Sequence, residues 1–442
     1  MSDTESKTAG LEPIEGAGSG RSNSYLRLLL VLLVSATFFE GYDNSILALL
    51  LGDIQATFAV PESTLGLARG IIEVGSFAAF FFTRLGDRWG RRPLLLWSVV
   101  GYTLMTGLTA FSWDIWSFTL FQFTARIFLG AEYAVAVTMI VEEFPAKRRS
   151  KALGTLLAFA AAGVIVVGLM LLVGLQDGPI EWRTLYLVGL LPLVLLSIFR
   201  RRIRETQRFT AEQVRRETLS VDDPGHPDAD GPGFWAPWAA RTRRMLLVVG
   251  LIHLTRSLPL FGSTAWWAYY AERERGFTSA EVGFYIIFAY GMGVVGYWAC
   301  GQLMERWGRR PTAMLYFSLG TVFAIILFQV DNKLIAFFAQ IFAVFFGLGS
   351  APVMGAFATE LFPTSIRSQA AAWTRNVFEI AGFMGGPLIV GILGDHATGV
   401  VGSIGDSVSI LMLLWLPGVW LVYRYIPETK GLELEDVHGE VR

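Results

Sequence analysis

The chain has 442 residues, 53% of them hydrophobic and 17% charged, where a soluble domain carries roughly 25% charged residues. A net charge of −1 and a single cysteine, Cys300, exclude a basic nucleic-acid binder and an internal disulfide framework. The four histidines, His226, His253, His396 and His438, lack metal-ligand spacing, so no metal or organic cofactor is expected.

Residues 1–24 are polar and rich in Gly, Ser and Glu, without the basic start and short apolar core of a signal peptide, and read as a disordered cytoplasmic tail. A bilayer core of about 30 Å needs about 20 apolar residues per helix. Runs of that kind fall near 26–50, 64–84, 93–111, 115–140, 151–174, 183–199, 244–268, 281–303, 311–329, 333–358, 369–393 and 406–425. An open sheet would leave edge amides unpaired in lipid, so the runs are helices. The expected fold is an all-α membrane protein of twelve transmembrane helices. It divides into a six-helix bundle at 25–200, a cytoplasmic linker at 201–243, a second bundle at 244–427 and a tail at 428–442. Within the linker, Arg200-Arg201-Arg202 is expected among lipid headgroups, and Phe234, Trp235 and Trp238 suggest a short interfacial helix.

Basic residues orient the chain. With both termini inside, the cytoplasmic segments hold 28 of the 36 Lys and Arg, and the outer connections hold 4. This asymmetry places tail, linker and C-terminus in the cytoplasm of a cell whose inner or plasma membrane the chain spans. The lipid bilayer and a small-molecule solute are the expected partners, nucleic acid is not, and the chain is expected to act as a monomer.

One basic turn occurs twice. Thr83-Arg84-Leu85-Gly86-Asp87-Arg88-Trp89-Gly90-Arg91-Arg92-Pro93 is answered by Gly301-Gln302-Leu303-Met304-Glu305-Arg306-Trp307-Gly308-Arg309-Arg310-Pro311, at an offset of 218. Glu142-Glu143-Phe144-Pro145 with Arg149 is answered at the same offset by Glu360-Leu361-Phe362-Pro363 with Arg367. Two landmarks at one offset indicate a duplicated chain. Two six-helix halves, each with such a turn between its second and third helices, resemble the major facilitator superfamily. Glu142-x-x-Pro145-x-x-x-Arg149, Arg204-Glu205-Thr206 and Pro427-Glu428-Thr429-Lys430-Gly431 are similar to pieces of its sugar-porter-like, metabolite:proton symporter branch. The resemblance implies a cytoplasmic gate built from Asp87, Arg88, Arg91, Glu142, Arg149, Glu305, Arg306, Arg309, Glu360 and Arg367. The turns would hold the halves together on the inside, and their bonds would break when the transporter opens inward. Plain positive-inside anchoring is the alternative reading of the turns.

Ionisable groups deep in a bilayer are costly and usually face a cavity. The first helix carries Glu40-Gly41-Tyr42-Asp43-Asn44 and the fourth carries Arg126, at compatible depths. In sugar-porter-like proton symporters an Asp of a Gly-Tyr-Asp faces an Arg of the fourth helix, and Gly41-Tyr42-Asp43 and Arg126 match those positions. The mechanism this implies is that Asp43 is charged when paired with Arg126 and takes up a proton when separated from it. A static buried pair is the alternative, and Glu40 is a second candidate for the titrating group. Arg69 with Glu73, and Arg375 with Glu379, stand at i,i+4 and either satisfy each other or serve the cavity. Arg256 in the seventh helix has no acid at i±3 or i±4, which invites an anionic ligand held in a two-bond fork. Pairing with an acid of another helix is the alternative. His253, Asn44, Tyr42, Glu73, Trp266, Arg375, Asn376 and Glu379 complete the candidate substrate contacts.

A sugar site needs many neutral hydrogen-bonding side chains. The seventh helix offers His253-Leu254-Thr255-Arg256-Ser257-Leu258-Pro259 instead, and the fifth offers Leu157-Ala158-Phe159-Ala160-Ala161. These features favour proton-coupled uptake of a small organic anion, aromatic or otherwise carboxylic, by alternating access. A sugar or polyol transporter and a non-transporting sensor stay open as alternatives. No nucleophile–base pair or nucleotide motif suggests an enzyme.

Overall fold

The computed structural model describes residues 22–83, 90–175, 182–199, 203, 205–206, 210, 235–363 and 366–431. Twelve helical spans are found among them. In the first half these are α1 Asn23–Leu49, α2 Glu62–Thr83, α3 Arg91–Thr109, α4 Ile115–Glu143, α5 Ala146–Leu172 and α6 Arg183–Phe199. In the second they are α7 Arg243–Arg273, α8 Ser279–Arg306, α9 Arg309–Gln329, α10 Lys333–Glu360, α11 Gln369–Gly394 and α12 Ile404–Tyr425. A short helix, Leu51–Phe58, extends α1. Nine spans are long and apolar enough to cross a membrane by length and composition alone. The other three are α2, which carries Glu62, Arg69 and Glu73; α3, which opens on two arginines; and α6, of only 17 residues.

Sequence explains where the helices start. Asp114 and Ser117 form a capping box on α4, and Thr278 with Glu281 forms one on α8. Asn332 caps α10 and Ser403 caps α12. Each of these side chains satisfies an amide that the first turn leaves without an internal partner. Inside the spans, α10 breaks into a 3-10 turn at Leu348–Ser350, ahead of Pro352, and α11 carries a π turn at Thr374–Glu379. Such turns mark places where the regular hydrogen-bond ladder has been set aside.

α1 packs on α5, α2 and α3 pack on α4, and α3 packs on α6. In the second half α7 packs on α11, α8 and α9 pack on α10, and α9 packs on α12. The halves meet along α2 with α11, α5 with α8, and α1 with α7. The described ends of the repeated basic turns, Gly90 to Arg92 and Gly308 to Arg310, have matching geometry in the two halves. The carboxylate of Glu205 accepts from the backbone N–H of Arg91 at 3.0 Å and of Arg92 at 3.1 Å, capping α3. Glu428 does the same for Arg309 at 2.8 Å and Arg310 at 3.0 Å, capping α9. The preceding glycines have φ of 101° at Gly90 and 107° at Gly308, and a Cβ at Gly308 would lie 2.4 Å from the Glu428 carboxylate. Only glycine fits there. Arg91 then pairs with Glu142 at 3.0 Å and Arg309 with Glu360 at 3.0 Å. The hydroxyls of Thr206 and Thr429 donate to those same two glutamates at 2.5 and 2.6 Å.

The gate expected from the sequence is corrected in one respect. Both arginine–glutamate pairs lie within a half, tying its third helix to the end of its fourth, and do not bridge the halves. Glu305 and Arg306 are exposed, and Lys430 Nζ donates to the Arg306 carbonyl at 2.7 Å. Arg367 opens the helix Arg367–Trp373, and Arg149 lies in α5. Asp87 and Arg88 lie outside the described residues, as do residues 1–21 and nearly all of the linker before 235. At the linker's end Ala236–Trp238 forms a 3-10 turn, and Trp235 and Trp238 each pack against Trp373 with ring centroids 5.1 Å apart.

Candidate functional site

Each half holds a charge cluster among its helices. In the first half, Gly75 lets α2 cross close to α4, since a Cβ there would lie 2.9 Å from Arg126 Cβ. This crossing brings Glu73 against two guanidiniums. Its Oε1 is 3.2 Å from Arg69 Nη2 and 3.4 Å from Arg126 Nη2. Arg69, Glu73, Arg126 and Asp43 are all buried. Asp43 lies within electrostatic reach of Arg126, Arg69 and Glu73, and Glu40 within reach of Arg126, Glu132 and Glu73.

The expected Asp43–Arg126 ion pair is not what the geometry holds. The carboxylate in contact with Arg126 is Glu73, and Asp43, 2% exposed, has an Oδ1 with no hydrogen-bond partner in the protein. Sequence spacing identified the Arg69–Glu73 pair but missed that Arg126 shares it, because helix-to-helix contact carries no signature in i,i+4 spacing.

In the second half Arg256 is fully engaged. Its Nη1 lies 3.1 Å from Glu379 Oε1 and its Nε 2.6 Å from Ser350 Oγ, and its Nη2 donates to the Gly347 carbonyl at 3.4 Å. The 3-10 break in α10 leaves that carbonyl available. His253 Nδ1 is 3.4 Å from the other Glu379 oxygen. The expectation of an unpaired arginine is thereby replaced by its alternative, an acid from another helix. Arg375 is exposed and lies within reach of Tyr133 of α4. Asn376, Asn44, Glu40 and Glu379 are half-buried. Two aromatic candidates are placed elsewhere. Tyr42 is buried and donates to the Leu185 carbonyl at 2.5 Å, and Trp266 is buried and donates to the Pro387 carbonyl at 3.0 Å. Both serve helix packing.

A third group was not anticipated. At the end of the bundle away from the basic turns, Tyr269 donates to Glu62 Oε1 at 2.6 Å, Arg273 to the Gly52 carbonyl at 3.0 Å, and the Ser63 amide to Asp395 Oδ2 at 3.2 Å. His396 Nδ1 lies 3.1 Å from the same Glu62 oxygen. All four contacts join one half to the other, so the structure is closed at this end. The one signal in the chain was the turn sequence Asp395-His396-Ala397-Thr398-Gly399 after α11. The Asp395 carboxylate accepts from Ser63 and from the amides of Ala397 and Thr398 at 2.9 and 3.0 Å. These donors, Ser63 first, hold it well below the usual carboxylate range.

A depressed folded-state value contributes stability above the unfolded value and loses it as pH falls toward the folded one. Asp395→Asn should therefore lower stability near neutrality by about 1.5–3 kcal/mol, the worth of hydrogen bonds to a charged group. It should also flatten the loss of stability of the purified protein between about pH 4 and pH 2. Unchanged thermal unfolding across that range would refute the role.

Comparison with known proteins gives one family and a consistent set of relatives. The model of the Major Facilitator Superfamily matches residues 33–386. A putative metabolite transport protein of Haemophilus influenzae is 26% identical, covering 94% of this chain and 100% of its own. A probable 4-methylmuconolactone transporter of Cupriavidus pinatubonensis is 23% identical over 90% of each chain. The cis,cis-muconate transport protein of Acinetobacter baylyi is 26% identical over 86% of this chain and 88% of its own. Among solved structures, a bacterial homolog of the human lysosomal transporter Spinster, inward-facing and unoccupied, superposes with a TM-score of 0.74 at 14% identity. That match covers 96% of this chain and 99% of the other.

Proposed function

The chain belongs to the major facilitator superfamily and is a membrane transporter, and from that premise we propose that it couples uptake of a small organic anion, a carboxylate, to proton entry by alternating access. The observation that carries this is Asp43. It is a carboxylate buried in the membrane interior, with one oxygen lacking a protein partner, beside an arginine already in contact with Glu73. A desolvated carboxylate parted from its cation is stabilised by taking a proton. Proton occupancy thereby follows conformation. Two relatives are named for muconate or a muconolactone, and arginines flanked by tyrosines suit a carboxylate on a flat, unsaturated body better than a sugar.

The test is a thermal-shift panel on the purified protein with benzoate, cinnamate, cis,cis-muconate, succinate, D-xylose and D-glucose. It is followed by uptake into proteoliposomes under an outside-acid gradient. A ligand at a hundred times its Kd stabilises by about 2.7 kcal/mol. A carboxylate is expected to stabilise and to accumulate. Stabilisation by a sugar alone would overturn the reading in favour of a sugar transporter.

A further inference from the structure

We propose that Arg69 and Arg126 together form the site for the substrate's carboxylate, and that Glu73 occupies this site until it is protonated. The inference rests on the anion-transport reading above. Glu73 meets the two guanidiniums through one oxygen, Oε1, at 3.2 and 3.4 Å, while its Oε2 lies 3.5 Å from Ser76 Oγ. Both arginines are more than nine-tenths buried. Nε and Nη1 of Arg69 and Nε of Arg126 have no hydrogen-bond partner in the protein. A pair of guanidiniums with spare buried donors, served by a single carboxylate oxygen, is under-satisfied and fits a second carboxylate better than it fits Glu73 alone. Arg256 lacks that capacity, because Glu379, Ser350 and the Gly347 carbonyl take its donors.

Charge balance sets the order of events. Glu73 and Asp43 together neutralise Arg69 and Arg126. An incoming carboxylate adds a negative charge that is offset only if an acid of the cluster, Glu73, Asp43 or the neighbouring Glu40, takes a proton, and displacing Glu73 requires that Glu73 take it. The groups that face this cluster are Glu40 and Asp43 of α1, Tyr102 of α3, Arg126 of α4, Tyr186 of α6 and Tyr290 of α8, with Glu132 acting through Glu40. Tyr290 is the contribution of the opposite half, so the site looks onto the interface.

The test measures affinity for benzoate, cinnamate, cis,cis-muconate and succinate by calorimetry on the full-length protein in nanodiscs at pH 6 and pH 8. Wild type should bind more tightly at pH 6, by up to about tenfold per pH unit for one linked proton. Glu73→Gln should bind at both pH values as wild type does at pH 6. Arg69→Gln should weaken binding about tenfold or more, and Arg256→Gln much less. Removing one member of a buried pair destabilises, so R69Q/E73Q, which removes both charges, serves as the folded control and should bind as poorly as Arg69→Gln. A Glu73→Gln variant that keeps the wild-type pH dependence overturns the proposal, as does an Arg69→Gln variant with unchanged affinity. Wild-type binding lost in Arg256→Gln but kept in Arg69→Gln overturns this site and leaves anion transport standing. A wild-type protein that binds no carboxylate overturns both.

Discussion

Proteoliposomes containing Asp43→Asn should accumulate a transported carboxylate less than wild type under an outside-acid gradient, while exchange of labelled for unlabelled solute continues. One pH unit corresponds to 1.36 kcal/mol, so each coupled proton supports up to about tenfold accumulation, and this factor is what the variant forfeits. The expectation follows from burial and geometry. Asp43 is 2% exposed, and the ion-pair contact of the neighbouring Arg126 is with Glu73. Asparagine keeps the shape and loses the titration at this position, so the helices still rearrange without a proton held on Asp43. Together with the role proposed for Glu73, the readouts separate: E73Q loses the pH dependence of affinity, whereas D43N keeps it and loses the part of accumulation that a proton on Asp43 supports. Because these residues share two arginines, their effects are not expected to add. Undiminished uphill uptake by Asp43→Asn would move the coupling to another group.

The architecture was legible because its causes are local. Twelve apolar runs and the offset of 218 between the basic turns lie in the chain itself. Pairing of the turn arginines with Glu142 and Glu360 was expected, but as a bond between the halves, and it falls within each half instead, since a repeat is silent on whether contacts fall within a unit or between units. The cap on each third helix shows the same limit. Glu205-Thr206 and Glu428-Thr429 stand in the chain as a second repeat, and their role emerges only when the last helix of each half returns beside the positive φ of Gly90 or Gly308.

The buried charge clusters were legible by residue type and not by partner. Glu40, Asp43, Arg126, Arg256 and Glu379 were identifiable as ionisable groups at membrane depth. Who pairs with whom depends on helix crossings, such as the one that Gly75 permits between α2 and α4. Tyr42 and Trp266 were misplaced for a related reason. An aromatic side chain with a polar tip looks the same in sequence whether its tip meets a ligand or, as here, a backbone carbonyl within its own half. The closure around Glu62 was missed altogether, because Glu62, Tyr269 and His396 lie near helix ends, where polar residues are ordinary.

Glu379→Ala should destabilise the fold more than any other single change considered, because it strands Arg256. That guanidinium is 3% exposed, and Glu379 is its carboxylate partner, with Ser350 and Gly347 supplying neutral acceptors. Breaking a buried pair by removing one partner costs about 3–5 kcal/mol, whereas replacing both by apolar groups of similar volume is often neutral. Thermal unfolding of purified Glu379→Ala, of Arg256→Met and of R256M/E379L separates the two cases. The single change at Glu379 should lower stability by that amount, and the double change should recover most of it. Equal losses in all three variants would show that helix packing around the π turn, rather than the charge pair, holds α7 to α11. If the double variant recovers stability and still binds carboxylate with the wild-type pH dependence, the clamp is structural and the ligand chemistry belongs to Arg69 and Arg126. The substrate's charge and the second half's charge pair would then be separate devices, one selecting what enters and the other fixing the helices that move around it.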